Sequence, residues 1–229
     1  MFGTFVNTLA IIAGSLAGLI VKGGIPKAYM DTVMQAIGLA VILIGLKGAL
    51  GAEDLLLVIF SLAIGGVAGE FLRIEARLEH LGLWLERKLS RVGGDIAKGF
   101  VTASLLFCVG SMAIVGSLES GLTGNHQTLF AKSVLDGVSS IVFASTFGFG
   151  VILSAGAVFL YQGLITVTAS LIKPFLIPPV VSQMSAVGGL LIMAIGFNIL
   201  EFKRIKVGNM LPAILIPLIY YMGSLLIPS

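Results

Sequence analysis

The sequence predicts an all-α fold: a polytopic transmembrane bundle of about eight helices, with candidate inverted three-helix repeats and one interfacial amphipathic helix. Three observations lead there. Charged residues make up 11% of the 229 positions while 57% are hydrophobic, whereas a soluble domain carries about 25% charged residues. Apolar runs close to the roughly 20 residues needed to cross a hydrocarbon core recur along the whole chain. Finally, Lys and Arg gather in alternate connections, the asymmetry that orients inserted helices.

The runs lie at 2–21, 33–50, 55–72, 100–118, 130–147, 150–171, 181–200 and 210–228. The first has no basic flank and is longer than a secretion-signal core, so it is expected to be a retained span. Gly14 and Gly18 in span one, and Gly65 and Gly69 in span three, form GxxxG spacings that let helix backbones approach in lipid. With 30 glycines in the chain, tight packing is expected, and a homodimer is a candidate arrangement because eight short helices enclose little interior. The connection 73–99 places Leu78, Leu81, Leu85, Leu89 and Val92 at three- and four-residue steps between charges. That pattern is an amphipathic helix in the headgroup layer with Trp84 at the interface, acting either as an anchor or as a docking face. The Gly and Ser content of "VGSMAIVGS" and "STFGFG" points to broken or closely approaching helices. In "GNMLP", Pro212 frees an acceptor and Asn209 is suited to cap the last span, with Asn198 a further polar partner at that end. The whole is a single integral membrane domain over 1–229: a first repeat 2–72, the interfacial helix 73–99, central spans 100–147 and a second repeat 150–228.

With the N-terminus outside, the inner connections hold Lys22, Lys27, Arg73, Arg77, Arg87, Lys88, Arg91, Lys98, Lys203, Arg204 and Lys206. Only Lys132 and Lys173 lie toward the outside, and Lys47 lies within span two. The basic bias therefore orients both termini outward.

Residues 34–42, "MQAIGLAVI", match 184–192, "MSAVGGLLI", at Met, Ala, Gly and Ile, and one inserted residue then aligns Gly45 with Gly196. If spans one to three correspond to spans six to eight, the five-span shift inverts one copy. Inverted repeats recur in secondary transporters, with the site at the repeat interface near the midplane. Shared packing composition is the plainer account of the same match.

Chemistry-bearing residues are few. Cys108 stands alone, which excludes an internal disulfide and a CxxC pattern. His80 and His126 both fall outside the apolar runs, and no GxSxG or metal-ligand spacing occurs, so no enzyme activity, cofactor or metal is expected. The net charge of +3 is accounted for by topology and calls for no nucleic acid partner. What stands out is "LESGLTGNHQTLFAKSVLDG", with Glu119, His126, Lys132 and Asp136 inside an apolar chain. Lys132 and Asp136 share a helix face at four-residue spacing, and Glu119 lies across the same external loop, where it can pair with Lys132. Asp136 sits deep enough that leaving it in lipid would cost several kcal/mol. Lys47 can join the group or snorkel toward Glu53 and Asp54; Ser139 and Ser140 continue the polar face inward, and Asn7 enters from span one. Two readings compete: a polar pathway opening outward, lined by Asp136, Lys132, Glu119, Ser139, Ser140, Asn7 and Lys47, or an ion pair that only fixes a helix end. The first makes the protein a membrane transporter for a small solute or ion, with a channel as its near variant. The second leaves a non-transporting scaffold or regulatory subunit, whose partners are the lipid bilayer and other proteins.

The blocks "FCVGSMAIVGSLESGL", "KSVLDG", "STFGFGVILSA", "YQG" and "VGNMLPA" together resemble the YqgA-like bacterial inner-membrane proteins, a family defined by a domain of unknown function. The resemblance covers the whole chain. It implies location and multi-span architecture, and it brings no substrate or catalytic residue to carry over.

The basic-residue asymmetry makes a direct prediction. Cysteines placed at Asn125 and Ser229 react with a membrane-impermeant thiol reagent applied to intact cells, and one at Arg91 does not. External labelling of Arg91→Cys would overturn this topology.

Overall fold

The computed structural model describes residues 1–22, 27–88, 96–108 and 111–226, and every regular element among them is helical. Among the described residues, six helical segments are long and apolar enough to cross a membrane: Phe2–Val21, Leu55–Leu72, Gln127–Phe147, Gly150–Leu171, Pro178–Ile199 and Val207–Leu225. The other two expected spans differ from straight membrane-length helices. The run beginning at 100 is split between Ile96–Cys108 and a second helix starting at Ser111, their axes inclined at 61°. The run beginning at 33 contributes a shorter apolar stretch, Gly38–Ala49. Residues 109 and 110 of "VGSMAIVGS", together with Leu89, Arg91 and Val92 of the amphipathic connection, lie outside the described residues.

The chain folds as two compact units. The first comprises Met1–Met34, Leu78–Cys108 and Met112–Ser170, and the second is built mainly from Gln35–Arg77 and Leu171–Ser229. Each draws on both halves of the sequence.

In the first unit α1 (Phe2–Lys22) and α7 (Gln127–Phe147) run parallel and pack along most of their length. Gly3 lies against His126 and Leu129, Gly14 against Gly137 and Ser140, and Gly18 against Ile141 and Ala144. A methyl group at Gly14 or Gly18 would overlap the carbonyl oxygen of Gly137 or Ile141 respectively. The GxxxG of span one is thus the surface on which α7 sits. In lipid the tails are as apolar as Leu, so small residues that admit backbone contact drive association. The same unit holds α5 (Ile96–Cys108), α6 (Ser111–Leu122) and most of α8 (Gly150–Ile172). Helices α1 and α8 are antiparallel, with Phe5 5.2 Å from Phe159 between ring centroids and Gly163 facing Met1. Gly148, at φ +83°, ends α7 and turns the chain into α8 within "STFGFG", a conformation open to glycine and costly for most other residues.

In the second unit the Gly38–Ala49 part of α2 (Lys27–Ala49) packs antiparallel on α9 (Pro178–Ile199), whose first residues are prolines suited to a helix start. Gly38 meets Gly196, and Gly45 meets Gly189. Helix α3 (Leu55–Leu72) starts at Asp54, whose side chain accepts from Leu57 N at 3.0 Å. Its Val67 and Phe71 are exposed, while Ser61, Gly65 and Gly69 are buried. That inverted polarity is what a lipid-facing helix requires. Gly65 and Gly69 lie on Ala213 and Asn209 of the final span, which is itself irregular: α10 (Val207–Met210), a 3-10 segment Leu211–Leu215, and α11 (Ile216–Leu226). Pro212 and Pro217 remove two backbone donors there, which disfavours one continuous α-helix. Arg73, at φ +51°, closes α3 and leads into α4 (Ile74–Lys88), the described part of the amphipathic connection, with Trp84 about half exposed.

The glycine contacts predict a position-specific response. Gly14→Ala lowers the thermal midpoint of the detergent-solubilised protein by an amount equivalent to about 1–3 kcal/mol of overpacking. Gly156→Ala, at a position with open space around it, leaves the midpoint unchanged or slightly raised. Equal tolerance at both positions would contradict the packing of α1 on α7.

Candidate functional site

A polar cluster forms where α1 packs on α7. Asp136 lies nine residues into α7, about 13 Å of helix rise from its start. Lys132, one turn earlier, donates to Asp136 Oδ2, and Asn7 Nδ2 of α1 donates to the same oxygen at 3.0 Å. All three are buried: Asn7 is 0% exposed, and Lys132 and Asp136 are each 6% exposed. The Lys132 ammonium also lies 5.9 Å from the centre of the Phe107 ring of α5, within reach of cation–π attraction. The three groups meet because α1 and α7 are in backbone contact through glycine. At that separation the short Asn7 side chain spans the gap.

The remaining expected site residues are placed as follows. Ser140 is 0% exposed one turn beyond Asp136, beside Gly14, and its hydroxyl has no hydrogen-bond partner among the described residues. Ser139 is half-buried on a neighbouring face. Glu119 does not pair with Lys132, contrary to the expectation from the loop: it accepts from Thr128 Oγ1 at 2.7 Å, while Lys132 turns inward to Asp136. An i,i+4 carboxylate on the same buried face captures the ammonium before one across a solvated loop can. His126 bonds Ser120 at 3.0 Å through Nδ1 and stacks at a tilt near Phe2. Lys47 is exposed in the last turn of α2 and belongs to the second unit.

The second unit holds a polar joint that sequence reasoning missed. Asn209 is not the cap of its own helix; Lys206 occupies that position, and its side chain makes no capping bond. Instead Asn209 Oδ1 accepts from Glu75 N at 2.7 Å, at the start of α4, and Glu75 Oε2 accepts from Gly208 N at 2.7 Å, at the start of α10. Each helix start is capped by a side chain from the other, satisfying donors that no intrahelical bond can reach. Glu70 completes the joint, accepting from Asn209 Nδ2 at 2.6 Å and from Lys206 Nζ at 3.0 Å. Asn198 braces the same end by holding both the N–H and the C=O of Ile205. The signal in the sequence is an acid, Glu70, near the C-terminal end of an otherwise apolar span.

Fold and site together define a polytopic helical membrane protein with a buried ion pair at membrane depth. The family model described as protein of unknown function (DUF554) matches residues 2–222, and the chain belongs to that family. It is 40% identical to the uncharacterized membrane protein YdfK of Bacillus subtilis (strain 168) over 221 residues, covering 95% of this chain and 94% of that one. It is 28% identical to the uncharacterized protein YqgA of Escherichia coli (strain K12), with 94% of each chain covered. No solved structure matches.

Burial of the ion pair fixes how its members respond to substitution. Removing one partner leaves the other charge buried and uncompensated, which costs about 3–5 kcal/mol, whereas replacing both by apolar residues is close to neutral. In reversible unfolding from mixed micelles, Lys132→Met and Asp136→Leu are each strongly destabilised, and the double variant recovers most of the loss. Additive losses in the double variant would mean that the two charges do not hold one another.

Proposed function

We propose that the protein is a membrane transporter for a small solute or ion, with its site at the Asn7–Lys132–Asp136 cluster of the first unit. The observation that carries this reading is a carboxylate and an ammonium buried well inside a membrane-spanning helix. Ionisable groups at that depth are expensive; they face a bundle interior or a water-filled cavity and mark substrate or ion pathways. The bend between α5 and α6 adds support, since interrupted helices in transporters expose backbone groups to a cavity.

The packing also supports an inverted repeat. Span one meets span six in the first unit, while span two meets span seven and span three meets span eight in the second, and every pair is antiparallel. A twofold axis in the membrane plane turns a helix into one running the opposite way, so helices flanking such an axis pack in this manner. Gly38 and Gly45 on α2 face Gly196 and Gly189 on α9 at the same seven-residue spacing. Exchange of the two helices therefore matches Gly38 with Gly189 and Gly45 with Gly196, without the inserted residue that the sequence match calls for. Orientation with both termini outside the cytoplasmic membrane, assembly as a homodimer and the absence of enzymatic chemistry belong to the same proposal.

The test is flux in liposomes containing the full chain, across a panel of inorganic ions, amino acids and neutral solutes. The Lys132→Met/Asp136→Leu double variant, chosen because it retains stability, abolishes flux of whichever solute the wild type carries. Wild-type flux in the double variant would reduce the ion pair to a structural role, and the scaffold reading would take its place.

A further inference from the structure

Near the ion pair, three helices of the first unit bring together buried polar side chains with atoms that have no hydrogen-bond partner among the described residues. Gln162 of α8 is 0% exposed, and neither its Nε2 nor its Oε1 is bonded. Ser117 of α6 and Thr4 of α1 are also 0% exposed with unpartnered hydroxyls, and Asn7, which gives its amide N–H to Asp136, has an unpartnered Oδ1.

These groups share one level of the bundle. Helix α6 runs antiparallel to α7, as the Ser120–His126 and Glu119–Thr128 bonds and the contact of Gly116 with Leu129 require. Helix α1 is parallel to α7 and antiparallel to α8, so α6 and α8 run in the same direction. Gly121 of α6 packs on Thr166 of α8. Ser117 and Gln162, each four residues earlier, therefore lie one turn along on the faces already in contact. Gly3 and Gly116 both touch Leu129, which sets Thr4 and Ser117 at the level of that residue. Asn7 and Lys132, each three residues further along its own helix, follow within a turn, and Asp136 lies one turn beyond Lys132.

Buried orphan groups are rare, and each costs the protein its desolvation free energy. Leu at position 162 would avoid that cost, and a run as apolar as 150–171 would accept it. A buried amide left unbonded on both atoms is expected where a ligand completes it. The chemistry of the groups narrows the ligand. Lys132 and Asp136 neutralise one another, so a bound ion would add an unbalanced charge at membrane depth. The unpartnered atoms include a donor, Gln162 Nε2, and acceptors, Gln162 Oε1 and Asn7 Oδ1, with hydroxyls that serve as either. A cation would be met by amide N–H groups, and an anion by amide oxygens.

We infer that Gln162, Ser117, Thr4 and Asn7 form a binding site, next to the Lys132–Asp136 pair, for a small uncharged solute bearing hydroxyl or amide groups. This deepens the transport reading and rests on it. Gln162 offers both halves of an amide and would be the main recognition group, with the ion pair beneath it holding Asn7 so that its oxygen faces the solute.

The experiment follows light scattering of proteoliposomes containing the full chain after mixing with urea, glycerol or potassium chloride. Vesicles with the wild-type protein re-swell in urea or glycerol at least about tenfold faster than protein-free vesicles, and no faster in potassium chloride. Loss of one or two recognition hydrogen bonds corresponds to about tenfold, so Gln162→Leu slows the neutral-solute response by that factor. Its thermal midpoint stays the same or rises, because a buried unbonded amide has been removed. Ser117→Ala, a change too small to disturb folding, slows it as well. Neutral-solute flux untouched by both variants would overturn the site, and flux confined to potassium chloride or to charged members of the wider panel would overturn the ligand class while leaving the transport reading intact. Absence of flux for every solute in the panel would remove the transport reading itself, and this inference with it.

Discussion

Backbone-to-backbone contact at glycine is the constraint on which the rest of the structure depends. A bilayer gives helices no hydrophobic reason to associate, because lipid solvates Leu and Phe as well as another helix does. Dispersion contacts and polar bonds must hold the bundle, and both fall off steeply with separation. Gly14 and Gly18 on α1, Gly38 and Gly45 on α2, and Gly65 and Gly69 on α3 each open a face on which a partner helix rests. The large apolar side chains point elsewhere: Val67 and Phe71 of α3, and Leu160 and Leu164 of α8, are exposed. Close approach also decides which polar groups can meet. Asn7 reaches Asp136, and Asn209 reaches both Glu70 and the start of α4, because their helices touch through glycine.

The two units use buried polarity in opposite ways. In the second, Glu70, Glu75, Asn209 and Lys206 bond one another and the backbone N–H groups at the starts of α4 and α10. A network of this kind rigidifies a joint and specifies one arrangement. In the first, the ion pair is satisfied at its centre, yet the groups around it are not. A partly satisfied network is a poor way to stabilise a bundle, and it recurs where a protein gives up stability for function. On the transport reading proposed above, the first unit would carry the activity and the second the fastening.

Most of the architecture was legible in the sequence because its causes are local. Apolar run length identifies the six membrane-length spans, and GxxxG spacing identifies the faces of α1 and α3 that pack. The four-residue spacing of Lys132 and Asp136 put them on one helix face, and Asn7 stood out as a polar residue in an apolar run. Features that depend on which helices meet were hidden. Glu119 was assigned to Lys132 because both border one loop, but the pairing is decided by burial, and Thr128 takes the carboxylate instead. Asn209 was read as a cap for its own helix, since a cap is the local option; it caps α4 across the unit. Gln162 carried a signal that was passed over, an amide alone in a long apolar run, but only its neighbours on α1 and α6 show that it lacks a partner.

The parallel pairing of α1 with α7 has a consequence for biogenesis. Asn7 and Asp136 are separated by 129 positions in the chain, so α1 enters the bilayer long before its partner has been synthesised. During that interval its glycine face and its amide have no native neighbour within the nascent chain. Helix α1 must therefore be hydrophobic enough to persist alone, and its polar content is confined to a few small groups such as Thr4, Asn7 and Ser15. Native pairing of α1 with α7 then waits on the last turn of α7 clearing the insertion machinery. A chain arrested before that point would hold the early spans in the membrane without the contact that organises them.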